Sequence, residues 1–226
     1  MEKLLETIEI ETAKNPAAAV IWLHGLGADG NDFVPIVNEL DLSGAPATRF
    51  VFPHAPMRPV TINNGHVMRA WYDVSLGDLE GISRRADEQG VRESQAQINA
   101  LIAREEKRGI TAASIVLAGF SQGGAMALHT GLRHPRKLAG LMALSTYLPL
   151  ADALPREAAP GNNTTPIFMA HGLFDPVVPL AMGAGSMTFL LGLGYSVEWH
   201  QYPMPHSVCA EEIEDIGAWL RKVLKA

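Results

Sequence analysis

Three residues of this chain have types and spacing that suit nucleophilic chemistry: a glycine-flanked serine, and an aspartate and a histidine that each follow an apolar run. The serine is Ser121, in Gly119-Phe120-Ser121-Gln122-Gly123. With 21 glycines and 10 serines among 226 residues, G-x-S-x-G arises by chance about 0.09 times in such a chain, so its place decides its meaning. It directly follows the apolar run 114–118 and directly precedes the helix-like Ala125-Met126-Ala127-Leu128. A serine in a tight strand-to-helix turn needs small neighbours, and it projects from a strand end beside a helix N-terminus whose partial positive charge favours a developing oxyanion. A hydroxyl is a weak nucleophile and needs a base, itself oriented by a carboxylate. Asp175 follows the run 166–170 within His171-Gly172-Leu173-Phe174-Asp175-Pro176-Val177-Val178-Pro179, and His206 follows the run 196–202 within Tyr202-Pro203-Met204-Pro205-His206-Ser207. Either alone reads as an ordinary turn residue. Together with Ser121, in the order Ser, Asp, His, they read as the catalytic triad of an acyl-transfer site.

An oxyanion hole requires two N–H donors, one from the residue after the nucleophile and one from a loop after an early strand. Gln122 and Leu26, the latter in His24-Gly25-Leu26-Gly27, supply them. The stretch Gly25-Leu26-Gly27-Ala28-Asp29-Gly30 also satisfies G-x-G-x-x-G, the dinucleotide fingerprint. That motif needs an acidic residue about 20 positions on, at the end of the next strand. The next strand candidate, 49–52, ends instead in Pro53-His54-Ala55-Pro56, which argues against a nicotinamide or flavin nucleotide. His129 and His134 are expected to be solvent-facing or capping, and His54, His66 and His200 structural.

The elements that must position these groups are short apolar runs at 17–23, 49–52, 114–118, 138–144, 166–170 and 196–202, with a first strand inside 1–16. Helix candidates at 32–40, 93–107, 122–134, 180–191 and 211–224 alternate with them. The runs are continuous rather than alternating in hydrophobicity, so the strands should be covered on both faces. The pattern predicts an α/β fold, a mostly parallel sheet with helices on both sides, in one domain spanning 1–226. In an open sheet of this kind, sites collect at the carboxyl ends of the strands, where all three candidates lie. Residues 53–85 are expected to form a long irregular surface loop, and 150–165 a plain surface connection. A formal charge of −6 gives no basis for nucleic acid as a partner. A single cysteine forms no internal disulfide and no CxxC zinc pair, and points to a reducing compartment. The acidic N-terminus is unlike a signal peptide, and no apolar stretch approaches the roughly 20 residues of a membrane span. A cytoplasmic protein without stable membrane insertion is expected.

With these elements lined up, the sequence resembles the small phospholipase/carboxylesterase family of α/β-hydrolases, a group that includes bacterial carboxylesterases and acyl-protein thioesterases. The resemblance runs from about residue 17 to the C-terminus. It is carried by Leu23-His24-Gly25-Leu26-Gly27, Met68-Arg69-Ala70-Trp71-Tyr72-Asp73, Gly119 to Gly124, His171 to Pro179, and His206-Ser207-Val208-Cys209-Ala210-Glu211-Glu212. It implies an α/β-hydrolase fold with no large lid domain and a Ser121, Asp175, His206 triad. It also implies an oxyanion hole from Leu26 and Gln122, and hydrolysis of carboxylic esters through an acyl-serine with neither cofactor nor metal. Acyl thioesters, lysolipids and acylated proteins are alternative substrates, and a non-catalytic ligand-binding member of the fold is the remote one. Trp71 is expected to line the acyl site, and Cys209 to be structural. The family usually has glycine where this chain has Thr146, so the resemblance leaves the acyl-pocket wall there undetermined. Oligomeric state leaves no mark in the sequence.

Overall fold

The apolar runs become strands in the computed structural model, which describes residues 4–75, 77 and 87–225. In chain order the strands are β1 (Thr7–Glu11), β2 (Ala18–Leu23), β3 (Thr48–Pro53), β4 (Met57–Val60), β5 (His66–Arg69), β6 (Ile115–Phe120), β7 (Gly140–Leu144), β8 (Ile167–Gly172) and β9 (Val197–Tyr202). The helices are α1 (Glu88–Lys107), α2 (Gln122–Arg133), α3 (Leu154–Glu157), α4 (Leu180–Gly192) and α5 (Ala210–Val223). Seven strands form one sheet in the order β1-β3-β2-β6-β7-β8-β9. Only the edge pair β1–β3 is antiparallel; every other neighbour pair is parallel.

The burial follows from this order. β2, β3, β7 and β8 have no exposed position, whereas the edge strands β1 and β9 mix exposed and covered residues. Successive side chains of a strand point to opposite faces, so the sheet feeds two cores. Ile21, Leu117 and Leu141 pack with Ile98, Leu101, Leu128 and Leu190 of α1, α2 and α4 on one side. Val20, Val116 and Met142 pack with Ile216, Trp219 and Leu220 of α5 on the other. This is the mostly parallel, helix-covered sheet that the alternating pattern predicts. From β2 the chain adds β3 on one side and later β6 on the other, so the carboxyl ends of β2 and β6 flank a switch in strand order, where open sheets form their crevice.

Three expectations need correction. The helix expected at 32–40 is only a 3₁₀ turn, Val34–Asn38, with Pro35 in its first positions and Ile36 its single buried residue; one inward residue is too little apolar stripe to carry a longer helix. Residues 53–75 are not an irregular surface loop. Strands β4 and β5 pair antiparallel, joined through the 3₁₀ turn Thr61–Asn63 and two residues of positive φ, Asn64 (55°) and Gly65 (75°), and Trp71 and Tyr72 beyond them are buried. Pro59 disguised this hairpin, because proline is tolerated only in edge strands such as β4. Residues 76 and 78–86 of that segment lie outside the described residues. The connection 150–165 likewise holds α3 and two 3₁₀ turns, with Leu154 and Asn162 fully buried.

Candidate active site

Ser121 sits between β6 and α2 with φ 53° and ψ −123°. This conformation is sparsely populated for any residue with a Cβ and costs about 1–3 kcal/mol, so the surroundings must hold it. They do so through the backbone: the Ser121 N–H donates to Leu144 O of β7 (2.8 Å), and its carbonyl accepts from Ala125 N (3.1 Å) and from the Thr146 hydroxyl (2.6 Å). The flanking glycines serve close approach. A Cβ on Gly123 would lie 2.2 Å from Leu23 O, and one on Gly119 would lie 2.3 Å from Gly123. The start of α2 is thereby pressed against the exits of β2 and β6. As the first residue of α2, Gln122 has an N–H with no intrahelical acceptor.

Asp175 and His206 come together because the exits of β8 and β9 stay paired beyond the sheet. Leu173 N donates to Tyr202 O (2.8 Å) and Phe174 N to Met204 O (3.1 Å). Gly172 permits this, since a Cβ there would lie 2.3 Å from Pro205 O. The His206 Nδ1 then donates to Asp175 Oδ2 at 2.7 Å, with the carboxylate wholly buried and the imidazole 15% exposed. Asp175 Oδ1 accepts from the backbone N–H groups of Val177 (2.8 Å) and Val178 (2.9 Å), so the carboxylate is held from both ends. Proton on Nδ1 leaves the His206 Nε2 with a lone pair, the arrangement of a general base. The His206 ring lies 4.7 Å, centroid to centroid, from that of Phe120, the residue before Ser121.

Leu26 lies in the turn after β2, and the neighbouring Gly25 approaches Ser121 closely enough that a Cβ on it would be 3.4 Å from Ser121 Cβ. Two side chains hold this turn. His24 is buried, which pushes its pKa down to about 4, and its neutral ring donates from Nδ1 to Gly25 O (2.7 Å) while Nε2 accepts from Ala55 N (3.0 Å). The Trp71 indole N–H donates to His24 O (2.9 Å). The Trp71 backbone N–H donates in turn to Gln122 Oε1 (2.8 Å), and Gln122 Nε2 donates to Tyr72 O (2.7 Å). A continuous hydrogen-bonded path therefore links the Leu26 turn to Gln122, the residue after Ser121. Trp71 has no exposed surface, so its ring backs the Leu26 turn and lines no open cleft.

Other residues fall differently from expectation. His129 is fully buried, its pKa pushed down to about 3 chiefly by burial, and its Nε2 lies 3.1 Å from Gln95 Oε1. His134 takes the capping role expected of it, as the residue that ends α2 with its N–H on Gly131 O (3.3 Å), and it is buried, with Nδ1 2.9 Å from Arg136 O. All twelve residues of α2 are buried, which a helix between sheet and neighbours must be, and this keeps His129 from solvent. Thr146, whose effect the sequence left undetermined, is buried with its hydroxyl on the Ser121 carbonyl. Sequence reasoning passed over His24 and His171. His171 Nε2 donates to Val178 O (2.8 Å) and lies 3.5 Å from Asp175 Oδ2, and burial keeps the ring neutral by lowering its pKa. Both open a His-Gly pair at a strand exit, the signal that marks them. Among the described residues no cluster of three or more His, Cys, Asp or Glu suits a metal, and no helix is long and apolar enough to cross a membrane.

Comparison with known proteins adds to this geometry. A family model described as Phospholipase/Carboxylesterase matches residues 5–224. Acyl-protein thioesterase 1 of Cryptococcus neoformans is 38% identical over 239 residues, covering 100% of both chains. Acyl-protein thioesterase 1 of Neurospora crassa is 42% identical over 220 residues, covering 92% of this chain and 87% of the relative. The crystal structure of Zea mays acyl-protein thioesterase 2 superposes with a TM-score of 0.83 at 28% identity, covering 97% of this chain and 99% of that one.

Proposed function

Because the chain belongs to the phospholipase/carboxylesterase family of α/β-hydrolases, ester and thioester hydrolases, we propose that it is a serine hydrolase cleaving carboxylic esters through an acyl-Ser121 intermediate. The 2.7 Å bond between His206 Nδ1 and buried Asp175 carries this reading, since it fixes the tautomer a base needs. His206 Nε2 takes the Ser121 proton as Oγ attacks the acyl carbonyl. The Leu26 and Gln122 N–H groups receive the oxyanion. His206 then gives the proton to the departing alcohol or thiol. Water attacks the acyl-enzyme with His206 again as base, releasing the acid and restoring Ser121. No step calls for a cofactor or a metal.

A thioester substrate on an acylated protein is the second reading. It is favoured by the names of the relatives and by the apolar surface beside Asp175, where Leu173, Phe174 and Val177 are 41%, 69% and 48% exposed. Such a surface suits a long acyl chain better than a short one. The deciding experiment is kcat/KM for matched oxyesters and thioesters with acyl chains from two to sixteen carbons, with Ser121→Ala as the blank. Loss of turnover in Ser121→Ala on the order of a millionfold, the scale of other serine triads, is expected. Short oxyesters winning identifies a general carboxylesterase. Long-chain thioesters winning by tenfold, about 1.4 kcal/mol, identifies an acyl-protein or lysolipid enzyme. Equal rates for wild type and Ser121→Ala refute the nucleophile.

A further inference from the structure

Ser121 C=O and Gln122 N–H belong to one peptide unit, which is trans like every other described peptide bond. In a trans peptide the carbonyl and the N–H point in opposite directions, so whatever holds the carbonyl also aims the N–H. The Ser121 carbonyl receives the first hydrogen bond of α2, from Ala125 N at 3.1 Å, and a shorter one from Thr146 Oγ1 at 2.6 Å. A hydroxyl has a single proton, and the other acceptor near it, Tyr147 O, is at 3.5 Å; the proton goes to Ser121. The Thr146 side chain has little freedom to leave: the residue is 1% exposed, and its Cγ2 lies 2.9 Å from where a Gly124 Cβ would stand. The same exit turn of β7 binds the other side of the nucleophile, through Leu144 O and the Ser121 N–H.

We infer that Thr146 is a positioning residue for the oxyanion donor, gripping the Ser121–Gln122 peptide by its carbonyl so that the Gln122 N–H faces the reacting carbonyl. The inference rests on the role proposed above for the Gln122 N–H. The hydroxyl acts in two ways. It resists rotation of a peptide whose serine is strained at φ 53°. It also polarises the amide, because a bond accepted at C=O strengthens donation at N–H in a low-dielectric interior. Both effects grow as the substrate carbonyl becomes an oxyanion, so they should appear in kcat and in the affinity of tetrahedral adducts, and leave KM nearly alone.

The test compares Thr146→Val, which keeps the shape and loses the hydroxyl, with Thr146→Ser, which keeps the hydroxyl and loses the methyl. Thr146→Val should lower kcat by about tenfold, less than the hundredfold or more of a direct donor, with KM within about twofold. A trifluoromethyl ketone that forms a tetrahedral adduct should weaken by the same factor, and Thr146→Ser should restore kcat and ketone affinity to near wild type. Unchanged kcat and ketone affinity in Thr146→Val overturns the inference, as does a Thr146→Ser as impaired as Thr146→Val, which would leave only packing against Gly124. If Thr146→Val does not fold, Thr146→Ala is read in its place with the same two outcomes. A fluorophosphonate probe separates this from the underlying mechanism. If it fails to label Ser121 in the wild type, the acyl-serine reading is wrong. If it labels the wild type and Thr146→Val at equal rates, only the role of Thr146 is lost.

Discussion

Replacing Glu212 by glutamine should flatten the fall in stability of this protein between pH 5 and pH 9. Glu212 lies in the first turn of α5, six positions after His206, fully buried, and neither carboxyl oxygen meets a hydrogen bond of ordinary geometry among the described residues. Burial pushes its pKa from 4.5 up to about 8; the nearby Asp215 adds to the rise, and the Cys209 backbone N–H opposes it. The folded chain therefore holds a proton that the unfolded chain releases. The resulting stabilisation is complete below the unfolded value, near pH 4.5, declines by about 1.4 kcal/mol per pH unit, and is gone once the pH has passed the folded value of about 8. Between pH 5 and pH 9 this amounts to about 4 kcal/mol, a large fraction of the stability of an ordinary domain. Glutamine does not titrate, and every other group contributes equally to both proteins. The stability difference, Glu212→Gln minus wild type, should thus rise by about 4 kcal/mol across that range. Urea unfolding followed by circular dichroism at half-unit pH steps measures it. Two parallel curves, differing by a constant to within about 1 kcal/mol, would mean that Glu212 is ionised in the fold, and the argument from burial would fail.

Two further outcomes concern the site itself. Ser121→Gly removes the Cβ from a backbone at φ 53°, so it should abolish turnover while raising stability by about 1–2 kcal/mol, the released strain less the chain entropy of glycine; a lower melting temperature than wild type would contradict the strain argument. Asp175→Asn keeps an acceptor for the Val177 and Val178 N–H groups but loses the charge beside His206 Nδ1. It should lower kcat on the order of ten-thousandfold, with an unchanged circular dichroism spectrum, and a loss below tenfold would remove Asp175 from the mechanism.

Much of this architecture was legible because local chemistry and fold coincide. Strands buried on both faces must be continuously apolar, which is why the runs at 17–23, 114–118 and 166–170 marked β2, β6 and β8 within two residues. Glycines around Ser121, prolines around Asp175 and His206, and their order along the chain placed all three at the carboxyl ends of parallel strands. The hairpin β4–β5 was hidden by Pro59 and by a turn that carries two residues at positive φ.

What the sequence alone determined is thus the identity of the candidate reacting groups and the strand ends that carry them, because these depend on residue type and on neighbours close along the chain. The tertiary structure decided what those groups touch. It turned Trp71 and His24 into supports of the Leu26 turn across 47 residues of chain, buried His129, and set the Thr146 hydroxyl against a carbonyl 25 residues away. Such contacts are fixed by how sheet and helices pack, and hydrogen bonds between residues far apart in the chain leave no periodicity along it.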